Sequence, residues 1–141
     1  MAQPSAPLPR GLRNNNPLNI RISGIAWRGK RPASQNTDGA FEQFDTLTNG
    51  IRAGLINIRT YLNKYHCDTP RTIIRRWAPE SDGNNTQAYI DRVCKVTAMH
   101  PGQPIVFSNR KQVCRLVYGM IAVECGQCIE LTKILEAYDA I

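Results

Sequence analysis

The chain has 141 residues, with 18 Lys and Arg against 11 Asp and Glu, a formal net charge of +7. That length buries roughly 70% of the unfolded surface, so one domain with one core needs no metal or disulfide framework. The charge favours an anionic partner, but Arg10, Arg13, Arg21, Arg28, Lys30, Arg31, Arg71, Arg75 and Arg76 are scattered, with no finger, basic zipper or stacking-aromatic signature, which argues against a dedicated nucleic-acid binder.

The opening MAQPSAPLPR lacks the basic start and apolar run of a secretory signal, and residues 1–10 read as a flexible tail before a single domain over 11–141. Next comes RNNNPLNIR, Arg13 to Arg21. Asparagine forms turns and caps readily because its amide bonds nearby backbone and tolerates left-handed geometry. The stretch is therefore a loop or a cap, or a cluster of amides aimed at a polar neutral ligand such as a sugar.

Residues 20 to 45 carry Ile20, Ile22, Ile25, Trp27, Phe41 and Phe44, broken by Gly24, Gly29, Pro32 and Asp38-Gly39, which predicts a small β-hairpin. From Thr48, the apolar residues Ile51, Leu55, Ile58, Leu62 and Tyr65 recur at steps of four and three, one stripe of an amphipathic helix. Thr69-Pro70 opens a short helix through Ile73, Ile74 and Trp77 that Pro79 stops. Glu80 to Asn85 is a polar loop, and Thr86 opens a helix carrying Tyr89, Ile90, Val93 and Val96 inward. After a turn at Ser108-Asn109, Val113, Leu116, Val117, Met120 and Ile121 mark one more helix. The expected class is mainly α with a little β.

No apolar run approaches the roughly 18 residues that span a bilayer, so no membrane span is expected. A chain made in the cytoplasm without a signal then acts in the periplasm or wall only after release or injection. The five cysteines, Cys67, Cys94, Cys114, Cys125 and Cys128, are odd in number and match no zinc spacing. Buried or paired cysteines are expected, with no metal and no cofactor.

The stripe of the last predicted helix runs on to Glu124, three and four residues after Ile121 and Met120, which turns a carboxylate toward the interior. Desolvation raises the pKa of such a group toward the range in which it donates a proton at neutral pH. The plainer alternative is that the helix ends at Cys125-Gly126 and the carboxylate reaches solvent or an arginine.

Taken in order, RNNNPLNIR, Trp27-x-Gly29, Phe41-x-x-Phe44, Gly50 to Leu55, Trp77-Ala78 and Tyr89 resemble phage and bacterial lysozyme-like peptidoglycan hydrolases, and are similar to the bacterial glucosaminidase and lysozyme superfamily. The resemblance covers about Arg10 to Val93. It implies a lysozyme-like helical domain acting on peptidoglycan glycan, as muramidase, glucosaminidase or lytic transglycosylase. In that superfamily the catalytic Glu precedes the Asn-Asn segment, whereas here MIAVECG, Met120 to Gly126, lies at the other end. A circular permutation accounts for this and brings Glu124 beside the Asn14–Asn16 loop, because chain ends commonly lie close together.

On that basis Glu124 is the general acid, and Glu42 and Asp38 are candidates for the second catalytic group. Asn14, Asn15 and Asn16 shape the cleft wall, and Trp27, Trp77 and Tyr89 offer faces or a hydroxyl to the sugars. An immunity or delivery protein is the expected protein partner. Two rival readings stand beside this one: a cysteine amidase or peptidase with Cys67 or Cys94 and His66 or His100, and a non-catalytic virion or wall-binding protein.

Overall fold

Thr46 caps the longest helix by accepting a hydrogen bond from the Asn49 backbone N–H at 3.1 Å. In the computed structural model, which describes residues 7–141, that helix is α2, Leu47–Lys64. Before it lies the single turn α1, Arg10–Arg13, and after it come α3, Pro70–Trp77; α4, Thr86–Thr97; α5, Arg110–Cys125; and α6, Leu131–Asp139. The protein is mainly helical.

The caps explain the boundaries. Thr69 and Thr72 form a reciprocal capping box with Pro70 at the first helical position of α3, and Asn85 and Asn109 cap α4 and α5 through their side-chain oxygens. Gly126, at φ +69°, ends α5 in the left-handed conformation that glycine adopts without strain. Thr86 is the first helical residue rather than the cap, and its buried hydroxyl donates to the Ala78 carbonyl. This ties the start of α4 to the end of α3.

The core centres on α5, whose Val113, Leu116, Val117, Met120 and Ile121 are wholly buried among residues of α2, α3, α4 and α6. Two glycines of α2 admit the N-terminal loop to the core edge. A Cβ on Gly50 would stand 1.7 Å from the Asn15 carbonyl oxygen, and one on Gly54 would stand 2.3 Å from Leu18 Cδ1. A smaller cluster of Ile20, Phe44 and Ala53, with Trp27 and Trp77 against it, underlies the irregular segment from 20 to 45.

The hairpin expected there does not form. Among the described residues the segment holds no strand, only two isolated antiparallel bridges, Arg21 with Phe41 and Lys30 with Phe44. Side chains take over the pairing that a ladder would have supplied. Asn16 donates to the Ile20 and Glu42 carbonyls at 2.9 Å each and accepts from the Ile20 N–H at 3.0 Å, while Asn15 donates to the Phe44 carbonyl at 3.1 Å.

Most of the expected N-terminal tail, residues 1–6, lies outside the described residues. Its last residue does not belong to a tail: Arg10 starts α1 and pairs bidentately with Asp38 at 2.7 and 2.6 Å. The cysteines are all free thiols, with Cys114 and Cys125 buried, so the paired alternative does not occur. Burial pushes both of those thiols up to about 11, which leaves them protonated and inert. Among the described residues, no helix is long and apolar enough to cross a membrane.

Candidate active site

Glu124 is the next-to-last residue of α5 and stands partly buried where the helix end meets the N-terminal loop. Two side chains grip its carboxylate. Asn19 Nδ2 donates to Oε1 at 2.9 Å, and the Tyr89 hydroxyl donates to Oε2 at 2.8 Å. The Trp77 indole contributes a third, smaller hydrogen-bonding influence. The partners thus come from the N-terminal loop and from the successive helices α3 and α4.

Local structure fixes each partner. Asn19 sits at φ +53°, a left-handed conformation that asparagine tolerates better than other side-chain-bearing residues. The Asn16 amide holds the loop on either side of this turn. Cys125 donates to the Pro17 carbonyl at 3.3 Å, which fastens the loop to the end of α5. Tyr89 projects from the first turns of α4 and is buried to its hydroxyl, while Trp77 is the last residue of α3.

Electrostatics and geometry compete at the carboxylate. Burial is the larger effect and holds the Glu124 carboxyl above its ordinary range, although the hydrogen bonds from Asn19, Tyr89 and Trp77 pull it back. Tyr89 is pushed well above the usual phenol value by burial and by the Glu124 charge, so its hydroxyl stays a donor. No arginine or lysine pairs with Glu124; the ion pairs among the described residues are Arg10–Asp38, Lys30–Glu42 and Arg110–Asp139. The carboxyl is therefore held by neutral donors rather than by a cation.

A cleft of about 350 Å³ is lined by Asn19, Ile20, Arg21, Ser23, Ile25 and Trp27 of the N-terminal segment, Asn57 and Tyr61 of α2, Arg76 and Trp77 of α3, and Asp82, with Glu124 behind its wall at Asn19 and Trp77 rather than on the lining itself. A separate hollow of about 470 Å³, at Thr97, Arg115, Tyr118 and Leu131, shares no lining residue with it. The Glu124 partners Asn19 and Trp77 are on the first cleft, which makes it the candidate site.

The other candidates fall into two groups. Trp27 and Trp77 line the cleft and the Tyr89 hydroxyl holds Glu124, so all three are at the candidate site. Asn14, Asn15 and Asn16 are structural in their contacts: Asn14 donates to Asp38 at 2.9 Å and accepts from Gln43 at 3.0 Å, and Asn15 and Asn16 bond backbone. It is the loop's fourth asparagine, Asn19, that reaches Glu124. Sequence reading passed over it because the run of three drew attention, although the Pro17-Leu18-Asn19 step announced another turn.

Among the described residues, the two expected second carboxylates have hydrogen-bond partners other than those of Glu124. Glu42, 1% exposed, pairs with Lys30 Nζ at 2.9 Å and accepts from the Ser23 N–H at 3.3 Å. Lys30 also donates to the Ser23 and Ile25 carbonyls at 2.7 and 3.0 Å, so the pair sets the loop that rims the cleft. Asp38 is gripped by Arg10, Asn14 and the backbone N–H groups of Ala40 and Phe41, with the Arg10 guanidinium chiefly responsible for holding it far below the usual carboxylate range. Asp82 is the carboxylate on the cleft lining that sequence reading missed.

No family model matches the chain. It is similar to Protein P5 of Pseudoalteromonas phage PM2, with 40% identity over 120 residues that span 83% of this chain and 71% of that protein.

Proposed function

The chain belongs to the family of Protein P5 of Pseudoalteromonas phage PM2, and we propose that it cleaves the glycan strands of peptidoglycan with Glu124 as general acid. One observation carries this: a carboxyl behind the cleft wall at Asn19 and Trp77, raised by burial, without a cationic partner, and held by the neutral donors Asn19 and Tyr89. A structural carboxylate is ordinarily paired with a cation or solvated; an acid catalyst needs the opposite environment. The lysozyme-like resemblance and its circularly permuted order agree with this, since the end of α5 lies against the asparagine loop.

In this mechanism Glu124 gives its proton to the glycosidic oxygen as the bond breaks. With Glu42 and Asp38 both committed to ion pairs, we assign the attack on the anomeric carbon to a hydroxyl of the substrate itself, as in lytic transglycosylases. The Glu124 carboxylate then takes that hydroxyl's proton, and the product ends in an anhydro sugar. The cation-rich surface draws the enzyme to anionic wall polymer. A phage relative fits an enzyme that meets the wall from outside or is released to it from within.

The cysteine amidase reading has less support. Burial raises the Cys94 thiol, assisted by the neighbouring Asp91 charge, which opposes thiolate formation. Among the described residues no hydrogen bond joins His66 or His100 to a cysteine; His100 Nδ1 accepts from the Gly102 N–H at 3.0 Å.

Digestion of purified peptidoglycan by wild type and Glu124→Gln, followed by mass spectrometry, tests the proposal. Muropeptides with anhydro ends from wild type and none from the variant are expected. Equal release by both would overturn the role of Glu124, cleavage in the peptide stems would favour the amidase, and no cleavage by either would favour a wall-binding role.

A further inference from the structure

The cleft does not stop at Trp77. A second depression, of about 550 Å³, shares Ile25, Asn57, Tyr61 and Arg76 with it and continues to Tyr65 and Arg75. The two are one groove. Aromatic rings run along it: Trp77 meets Tyr61 edge-on with centroids 5.8 Å apart, and Tyr61 meets Tyr65 at 6.3 Å.

Arg76 lies over those rings, its Cζ 3.4 Å from the Tyr65 centroid and 5.3 Å from that of Tyr61. Neither Arg76 nor its neighbour Arg75 takes part in an ion pair among the described residues. Stacking restricts the guanidinium before any ligand arrives, so little further side-chain entropy is lost when it meets an anion. Both arginines are exposed, so a ligand in the groove can reach them.

We propose that this arm of the groove is a subsite for the peptide stem of the substrate, with Arg76, assisted by Arg75, binding a stem carboxylate. The inference rests on the glycan-cleaving role of Glu124. Each muramic residue of a peptidoglycan strand carries a short peptide with free carboxylates, and a strand seated at Glu124 has to lead that peptide out along the protein surface. The groove supplies the path, aromatic along its length and cationic beyond Trp77. A planar guanidinium matches a carboxylate through two parallel hydrogen bonds.

Calorimetric titration of the full chain with a synthetic stem tripeptide, and with the same peptide fully amidated, reads the subsite without catalysis. Wild type is expected to prefer the free acid by about tenfold, the scale of one charge-assisted contact, and Arg76→Ala to abolish the preference. On glycan, Arg76→Ala should raise KM more for stem-bearing strands than for amidase-stripped ones. Equal affinity of wild type for the two peptides overturns the proposal without recourse to any variant, as does a preference that survives Arg76→Ala. Stem preference without glycan cleavage would sink the glycosidase role and spare the subsite; glycan cleavage without stem preference would do the reverse.

Discussion

Asn19 and Glu124 stand 105 residues apart in the chain and share a 2.9 Å hydrogen bond. The contact puts a left-handed loop residue and a helix C-terminus on the same carboxylate, and its consequences can be measured.

The first concerns stability. Glu124 has a folded-state pKa above its unfolded value, so the native chain binds that proton more tightly than the unfolded one. The resulting stabilisation is present in full below the unfolded pKa and is lost as pH rises through the folded pKa. Glu124→Gln is therefore expected to melt at least as high as wild type at pH 8, with the difference shrinking toward pH 4, while activity falls by about 10²–10⁴-fold. Paired thermal melts and muropeptide assays across pH check both halves.

Tyr89→Phe removes a hydrogen bond that favours the ionised carboxylate. The Glu124 pKa then rises, so the alkaline limb of the pH–rate profile moves to higher pH. A weaker acid also donates less readily, and the rate at the optimum should drop roughly three- to tenfold, the scale of one hydrogen bond. An unmoved limb would separate Tyr89 from the acid.

Asp38→Ala removes a hub that Arg10, Asn14, Ala40 and Phe41 all donate to. A cost of about 1–3 kcal/mol in urea unfolding is expected from the donors left without a partner. Because the folded pKa of Asp38 is depressed, its stabilisation is present above the unfolded carboxylate pKa and declines as pH falls below it. The gap between wild type and variant should accordingly narrow in acid.

Asp82→Asn distinguishes two chemistries. With attack by the substrate's own hydroxyl, the variant keeps most of its activity and still yields anhydro ends. Loss of activity together with reducing ends in wild type would make Asp82 the second carboxylate of a hydrolase.

Gly50→Ala should reverse the usual rule for helices. Alanine normally stabilises a helix interior relative to glycine by about 1 kcal/mol. Here the new methyl would lie 1.7 Å from the Asn15 carbonyl oxygen, so a loss of about 1–3 kcal/mol is expected as the loop is displaced. Activity should fall with it, since that loop carries Asn19.

Helices α2 to α5 were legible because stripes such as Ile51, Leu55 and Ile58, and caps such as Thr69-Pro70, are local signals. Helix α6 was missed: Glu130 gives no side-chain cap, and only Ile134 and Ala137 of it are buried. The hairpin failed for a different reason, since the apolar residues from 20 to 45 pack onto α2 and α3 and bond through asparagines, which period and turn chemistry do not reveal. Glu124 was readable from the α5 stripe, whereas Asn19 as its partner was not, because which amide of a loop faces a distant helix depends on tertiary docking. Glu42 and Asp38 were legible as carboxylates, but their ion pairs with Lys30 and Arg10 were not, because those partners are set by tertiary docking.

The seam where Cys125 meets Pro17 and Asn19 meets Glu124 has a kinetic side. Contacts spanning almost the whole chain close late, because they carry the greatest loop entropy. Because Leu18 of the same loop is buried in the main core, closing this seam completes the core and covers the Glu124 carboxylate together, and opening it exposes both.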